Sequence, residues 1–314
     1  MSEASARPIR LGLVGIGKIA RDQHIPAINA SPDFELAATA SRSASVDGVP
    51  GYRTIEEMLA AGHDLDAVSF CTPPVGRHDL VSPAIAAGLA VMIEKPPAAT
   101  LSEARAMTRA AEIAGIPFYT SWHSRAARHV EDARSWCAER QVSRIHVEWR
   151  EDIRQWHPGQ EWILEAGGFG VFDPGINALS ILTAILPKSV VLSAATLDVP
   201  RGRGAPIAAT LQGTSGDAAF SADFDFLQTG EQTWSIHLED AAGETLSLIE
   251  GAGAMTLGGE RQPASEDSGE YPHLYAHFAT LVREGRSDVD LSPLELVADA
   301  FLLGEHRATE PFSF

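Results

Sequence analysis

The run Gly15-Ile16-Gly17-Lys18-Ile19-Ala20 constrains this chain more than any other stretch, because it lies between the apolar segment RLGLV and a helix-like segment. Between a strand and a helix, a GxGxxA spacing has a physical meaning. Gly15 permits a tight turn, Gly17 lets the backbone approach a pyrophosphate, and Ala20 allows the helix and sheet to pack closely. The start of the helix adds N–H donors aimed at the same place. Gly15, Ile16, Gly17, Lys18 and Ile19 are therefore expected to bind a dinucleotide.

Short apolar runs continue the pattern to about Trp122: FELAATA, LDAVSFC, LAVMIEK and PFYTSW alternate with helical segments at Ile55 to Ala61, Asp79 to Ala87 and Leu101 to Ala114. Thr100 three residues before Glu103 forms a capping-box signal for the last of these. Such alternation predicts an α/β Rossmann domain with a parallel sheet, assigned to residues 1–124. After Trp122 the pattern changes. Helical stretches at Val130 to Glu139 and Gly168 to Leu186 flank the strand-like IHVEWR. The runs VVLSAATLDV, PIAATLQG, AAFSADFDF, TWSIHLED and TLSLIE then follow one another without long helices between them. Residues 125–314 are thus expected to form an α+β domain with a large, mostly antiparallel open sheet. Gly251 to Gly269 reads as a hairpin plus loop. Tyr271 to Glu284 and Pro293 to His306 read as helices able to pack back on either domain.

A length of 314 residues suits two domains, each with its own core. No apolar run is long enough to cross a bilayer, and the start MSEASARPIR lacks the apolar core of an export signal, so a cytoplasmic location is expected. A net charge of -18 disfavours nucleic acid as a partner. The two cysteines, Cys71 and Cys137, lack the paired spacing of a metal site, and no metal is expected.

The second strand-like run ends in Ala40-Ser41-Arg42, where an NAD-binding fold would carry an acidic residue for the ribose hydroxyls. Ser41 can donate to a 2'-phosphate and Arg42 can pair with it, which favours NADP. The other reading is that Arg42 is a solvated loop residue and that NAD is used as well. Cys71, Thr72 and Pro73 close the third unit beside the dinucleotide, Cys71 reading as a packing residue rather than a nucleophile. The segment VMIEKPPAATLSEA then places Glu94 and Lys95 at the carboxyl edge of the sheet, the edge at which α/β proteins bind ligands.

Together, LGLVGIGKIA, EKPPAATLSEA and GGFGVFDPGINALS resemble the Gfo/Idh/MocA family of oxidoreductases over nearly the whole chain. The stretches GIGKIARDQH, YTSWHSR, REDIRQWHPGQEW and DPGINALS are most similar to its subgroup of bacterial aldose 1-dehydrogenases acting on L-arabinose and D-galactose. The resemblance implies that Lys95 contacts the substrate hydroxyl and that Glu94 lies alongside the cofactor. The family commonly has an Asp followed four residues later by the His that acts as base; here those positions are Asp173 and Asn177. An asparagine amide cannot accept the proton, so the role passes to Asp173 or Lys95. The arabinose-type subgroup shares the Asn.

Asp173 and Asn177, four apart, share a helix face, and Pro174 suits a first helical turn. Asp173 also fits a plain N-cap. Glu151, Trp156 and His157 combine an acid, an aromatic face and a ring nitrogen as a sugar pocket would; without the resemblance the favoured reading is that His157 caps a turn and the tryptophans fill core. Trp122 and His123 are expected near the nicotinamide, His123 also contacting substrate. Trp234, Tyr275 and His277 stand at spacings that usually mean core. The function implied is NADP-linked oxidation of L-arabinose or D-galactose at the anomeric carbon to an aldonolactone. The alternatives are a dehydrogenase of another sugar or polyol, a biliverdin-like acceptor in place of a sugar, or a non-catalytic regulator that binds cofactor and sugar. An antiparallel sheet with one open face makes a homo-oligomer the expected assembly.

Overall fold

The computed structural model describes residues 7–263 and 269–314. The reading of the chain start therefore falls partly outside the described residues, as does the end of the glycine-rich hairpin and loop. Two compact units are present, one of residues 7–121 with 269–291 and the other of residues 122–263 with 292–314. The division falls after Ser121 rather than after Ser124, and the first C-terminal helix belongs to the first unit while the second belongs to the other.

The first unit runs β1 (Ile9–Val14), a wide turn at Ala20–His24, α1 (Ile25–Ala30), β2 (Phe34–Ala40), β3 (Gly51–Tyr52), α2 (Ile55–Ala60), β4 (Ala67–Phe70), α3 (Arg77–Ala86), β5 (Ala90–Ile93), α4 (Leu101–Ala114) and β6 (Phe118–Thr120). Its six strands are all parallel, in the order β3-β2-β1-β4-β5-β6. The Val- and Ala-rich strands β4 and β5 are buried throughout, as a sheet covered on both faces requires. The Thr100 hydroxyl accepts from Glu103 N–H at 3.2 Å, so α4 starts where the capping signal put it. The helix expected directly after the glycine turn is interrupted. Pro26 has no N–H to give an α-helical ladder, and Ile25 N–H instead reaches back five residues to Ala20 O. The resulting π-turn rotates His24 into the core, where it is fully buried.

The second unit runs α5 (Val130–Ala138), β7 (Val142–Arg150), α6 (Ile153–Trp156), α7 (Phe172–Ile185), β8 (Val190–Pro200), β9 (Ala208–Ser215), β10 (Ala218–Asp225), β11 (Thr233–Asp240), β12 (Thr245–Ile249), β13 (Ala254–Leu257) and β14 (Glu260–Arg261). Next comes α8 (Glu270–Glu284), which returns to the first unit. There Tyr271, Leu274, Tyr275 and Phe278 share a core with Leu11, Leu13, Ile28 and Phe34. The chain ends with α9 (Ser292–Leu303) and β15 (Gly304–Thr309) in the second unit. The nine-stranded sheet has the order β14-β13-β12-β11-β7-β10-β9-β8-β15, antiparallel except for β7 with β10 and β8 with β15.

Two expected helices need correction. The one read as Pro293 to His306 stops at Leu303, because residues 304–309 pair in parallel with β8, a non-local partner that no local periodicity reveals. The one read from Gly168 starts at Phe172, because Gly170 takes a left-handed backbone with φ 55° that no right-handed helix can include, and the N–H groups of Gly170 and Val171 go to the carbonyls of Ile163 and Pro206. On β7, Ile145, Val147 and Trp149 are buried while His146, Glu148 and Arg150 on the opposite face are partly exposed, so the sheet has one covered and one open face.

Candidate active site

In the first unit the expected cofactor residues converge on the carboxyl ends of β1, β2, β4 and β5. Gly15 follows β1 with φ 90°, and a Cβ there would stand 2.9 Å from Thr72 Cγ2 and 3.1 Å from the Cys71 carbonyl oxygen. Only glycine fits this turn against the end of β4. At Gly17 nothing lies within 4 Å of the place a Cβ would take, which leaves room for a pyrophosphate. Ile16 is buried, Ile19 is exposed, and Lys18 pairs with Asp22. Cys71 is buried in the core, Pro73 is exposed, and Thr72 Oγ1 is buried with no hydrogen-bond partner, so a donor or acceptor from a dinucleotide would satisfy it. These features fit a bound nicotinamide dinucleotide.

Ser41 N–H donates to Tyr52 O, fixing the end of β2, and Arg42 is exposed beyond it. Arg21, which did not stand out in the sequence, reaches the same loop by donating to Ser45 O at 3.2 Å. Its one available signal was its place a single turn after Gly17.

Glu94 and Lys95 lie at the end of β5, Glu94 buried and Lys95 partly so. Lys95 N–H donates to Glu94 Oε2 at 2.8 Å, while Glu94 Oε1 meets the Tyr271 hydroxyl at 2.8 Å and His24 Nε2 at 2.9 Å. His24 Nδ1 lies 2.8 Å from the Tyr275 hydroxyl, which in turn donates to Ser69 Oγ at 3.5 Å. Burial of the imidazole opposes its protonation, but Cys71, Tyr275 and Glu94 around it more than offset that, and its pKa is raised well above the usual imidazole range. Burial and the Glu94 carboxylate push the Tyr271 hydroxyl well up. From the other side the buried Arg77 guanidinium donates to the carbonyls of Glu94, Pro96 and Thr72. Aromatic spacing alone marked Tyr275 as core; it is core, and its hydroxyl is also part of this network. Cys137, in the second unit, is pushed up to about 12 by burial and is no nucleophile at neutral pH.

The second unit holds the remaining candidates in two groups. Trp122 is buried under the Arg125 guanidinium at 5.9 Å, and His123 opens a short turn with Nδ1 3.3 Å from Ser124 Oγ. Arg125 ties this turn to α7 by donating to Ser180 O and Thr183 Oγ1. Asp173 is buried in the first turn of α7, and Asn177, partly buried, follows one turn on. In the other group, Glu151 is buried just past β7, with Oε1 3.2 Å from His157 Nε2 and Oε2 accepting from Trp234 Nε1 at 3.0 Å. Trp156 is 41% exposed and sits edge-on to Trp234 at 5.1 Å. Trp234, read only as a core aromatic, thus belongs with Glu151, Trp156 and His157; its strand spacing hid the indole N–H contact.

Phe224 links the two groups at one end of the sheet. A Cβ at Gly175 would stand 2.8 Å from the Phe224 ring, so α7 packs directly on β10 beside Asp173, and Phe224 is the register partner of Trp149, two residues before Glu151. Among the described residues no group of three or more His, Cys, Asp or Glu side chains could hold a metal ion, and no helix is long and apolar enough to cross a membrane.

A parallel six-stranded sheet with a glycine turn at its carboxyl edge, joined in one chain to an open mixed sheet, defines a two-unit nicotinamide oxidoreductase. The chain belongs to the Gfo/Idh/MocA family: residues 9–120 match the family described as an oxidoreductase family with an NAD-binding Rossmann fold. It is 45% identical over 307 residues to galactose 1-dehydrogenase of Pseudomonas fluorescens, a match covering 98% of this chain and 99% of the relative. The crystal structure of D-galactose-1-dehydrogenase from Rhizobium etli superposes with a TM-score of 0.93 at 47% identity, covering 99% of this chain and 100% of that one. A 3-ketoreductase from Actinomadura kijaniata, solved with NADP and TDP-benzene, shares the fold with a TM-score of 0.84 at 18% identity, over 96% and 99% of the two chains.

Proposed function

We propose that this protein is an aldose 1-dehydrogenase that oxidises D-galactose, and L-arabinose as a second substrate, at the anomeric carbon to the aldonolactone, with NADP preferred over NAD. The observation that carries this is the 45% identity to a galactose 1-dehydrogenase over nearly the full length of both chains. The residues support the same chemistry. A bound nicotinamide supplies the hydride acceptor. Lys95 donates a hydrogen bond to the anomeric hydroxyl, and Asp173 accepts that hydroxyl's proton as the C1–H bond breaks and the carbonyl forms. Asn177 can bind a hydroxyl but not take its proton. Glu151, held by Trp234 and His157, offers a fixed carboxylate for sugar hydroxyls, and the exposed ring of Trp156 offers an apolar face for sugar C–H groups. His123 is the remaining substrate contact, with Trp122 behind it.

For the cofactor, Gly15 to Ile19 hold the pyrophosphate, Ser41 and Arg42 the 2'-phosphate, and Cys71, Thr72, Pro73 and Glu94 line the path to the nicotinamide. No acidic side chain ends β2 to repel a phosphate, which supports NADP. A homo-oligomer formed through the open sheet face and a cytoplasmic location belong to the same proposal. The second reading, a cofactor- and sugar-binding regulator without catalysis, is favoured by one feature, Asn177 in place of the usual His. Steady-state reduction of NADP with D-galactose and L-arabinose separates the two: turnover supports the dehydrogenase, and tight cofactor binding with no turnover of any aldose supports the regulator.

A further inference from the structure

The short turn that carries Lys95 is held from two directions, by a buried carboxylate network and by a buried guanidinium. From below, Glu94 Oε2 accepts Lys95 N–H, and Oε1 of the same carboxylate is fixed by the Tyr271 hydroxyl and the His24 ring. From the side, Arg77 donates to the carbonyls of Glu94 and Pro96, the residues on either side of Lys95. The supports come from distant parts of the chain: His24 from the π-turn, Arg77 from the first turn of α3, and Tyr271 and Tyr275 one turn apart on α8.

His24 and Arg77 are 0% and 1% exposed, and Glu94 is 5% exposed. Buried ion pairs are often no more stabilising than apolar residues of the same shape. A buried His–Glu pair, two tyrosine hydroxyls and a buried guanidinium are thus a costly way to fill space, and a good way to fix one backbone geometry. The contacts admit one donor order without conflict, in which His24 protonated on both ring nitrogens donates to Glu94 and to Tyr275, Tyr275 donates to Ser69, and Tyr271 and Lys95 N–H donate to Glu94.

We propose that His24, Tyr271 and Arg77 are positioning residues for Lys95, setting the backbone from which its ammonium reaches the substrate hydroxyl. This rests on the assignment of Lys95 to the catalytic set. A lysine ammonium is a point charge on a flexible stem, so its reach depends on where its Cα is fixed. Misplacement of a catalytic group by about 1 Å costs roughly 100-fold in rate.

The experiment uses the full-length protein and the variants Tyr271→Phe, His24→Gln, His24→Ala and Arg77→Lys, with Lys95→Ala as reference. Turnover of D-galactose with NADP, the dissociation constant of NADPH from its fluorescence, and thermal melting are measured for each. The expected result is a kcat lower by about 10- to 100-fold in Tyr271→Phe and Arg77→Lys, with the galactose KM close to wild type in both and the NADPH dissociation constant close to wild type in Tyr271→Phe, which leaves untouched the Thr72 carbonyl that Arg77 also holds. His24→Gln, which keeps a donor for Glu94, should retain more kcat than His24→Ala. If Lys95→Ala is inactive but the supporting variants turn over like wild type, the positioning role is wrong and the assignment of Lys95 stands. If the variants lose NADPH binding and melting temperature together with kcat, the network is only structural and the proposal fails. If Lys95→Ala stays active, or wild type turns over no aldose, the underlying assignment fails and takes this proposal with it.

Discussion

Alanine at Gly15 and at Gly17, two residues apart in one motif, should have opposite consequences. Alanine at Gly15 must adopt φ 90° and place its Cβ 2.9 Å from Thr72 Cγ2 and 3.1 Å from the backbone carbonyl of Cys71. The left-handed backbone costs about 1–2 kcal/mol. The close contacts cost about 1–3 kcal/mol more, because the Cys71 backbone is tied to Val14 O and cannot move away cheaply. The total of about 2–5 kcal/mol corresponds to a melting temperature lower by roughly 5–15 °C for a unit of this size. At Gly17 the same methyl group meets nothing within 4 Å, so melting should change by no more than about 2 °C. What it enters is the space assigned to the pyrophosphate. Gly17→Ala should therefore weaken NADPH binding by at least about 10-fold, a loss of about 1.4 kcal/mol, in a protein that melts like wild type. Differential scanning fluorimetry and NADPH fluorescence titration on both variants provide the check. If Gly17→Ala melts as low as Gly15→Ala, or binds NADPH like wild type, the placement of the cofactor on this turn is refuted.

Arg42→Ala should weaken NADPH by about 10- to 100-fold while leaving NADH nearly unchanged, since a charge-assisted contact to the 2'-phosphate contributes about 1.5–3 kcal/mol; equal effects on both cofactors would remove the basis for NADP preference. The pKa of His24 is raised in the folded protein, so the folded state binds more protons than the unfolded one and stability falls as pH rises between the two values. Its contribution is fully present below the ordinary imidazole value of 6.5 and is lost as pH passes through the raised folded value. In urea unfolding, the stability gap between wild type and His24→Gln should thus be widest near pH 6 and shrink toward alkaline pH; a gap that grows with pH would contradict the protonated His24.

The parts of this molecule that the sequence displays are those set by local chemistry. Thr100 and Glu103 announce the start of α4, the glycine spacing announces the β1 turn, and the run of β-α units leads to the parallel sheet. What stayed hidden depends on partners far along the chain. The strand β15, GEHRAT, has no apolar alternation and exists because β8 offers it an edge. The two-residue β3 is defined only by pairing with Thr39 and Ala40. Of the candidate site, Glu151, Trp156 and His157 stood out only with the family resemblance beside their residue types, and Trp234 joins them through sheet register and its N–H to Glu151. Arg77, Tyr271 and His24 meet around Glu94 from positions up to 177 residues away from it in the chain, a convergence visible only once the first unit has folded.

The most direct measurement is steady-state reduction of NADP and NAD with D-galactose and L-arabinose, for wild type and Asp173→Ala, alongside NADPH binding to both proteins. The prediction is turnover of D-galactose with NADP that falls by at least about 100-fold in Asp173→Ala, as loss of a general base does, with NADPH binding preserved. Absence of turnover with every aldose in a wild-type protein that binds NADPH tightly would contradict the dehydrogenase, and full activity in Asp173→Ala would contradict the role given to that carboxylate.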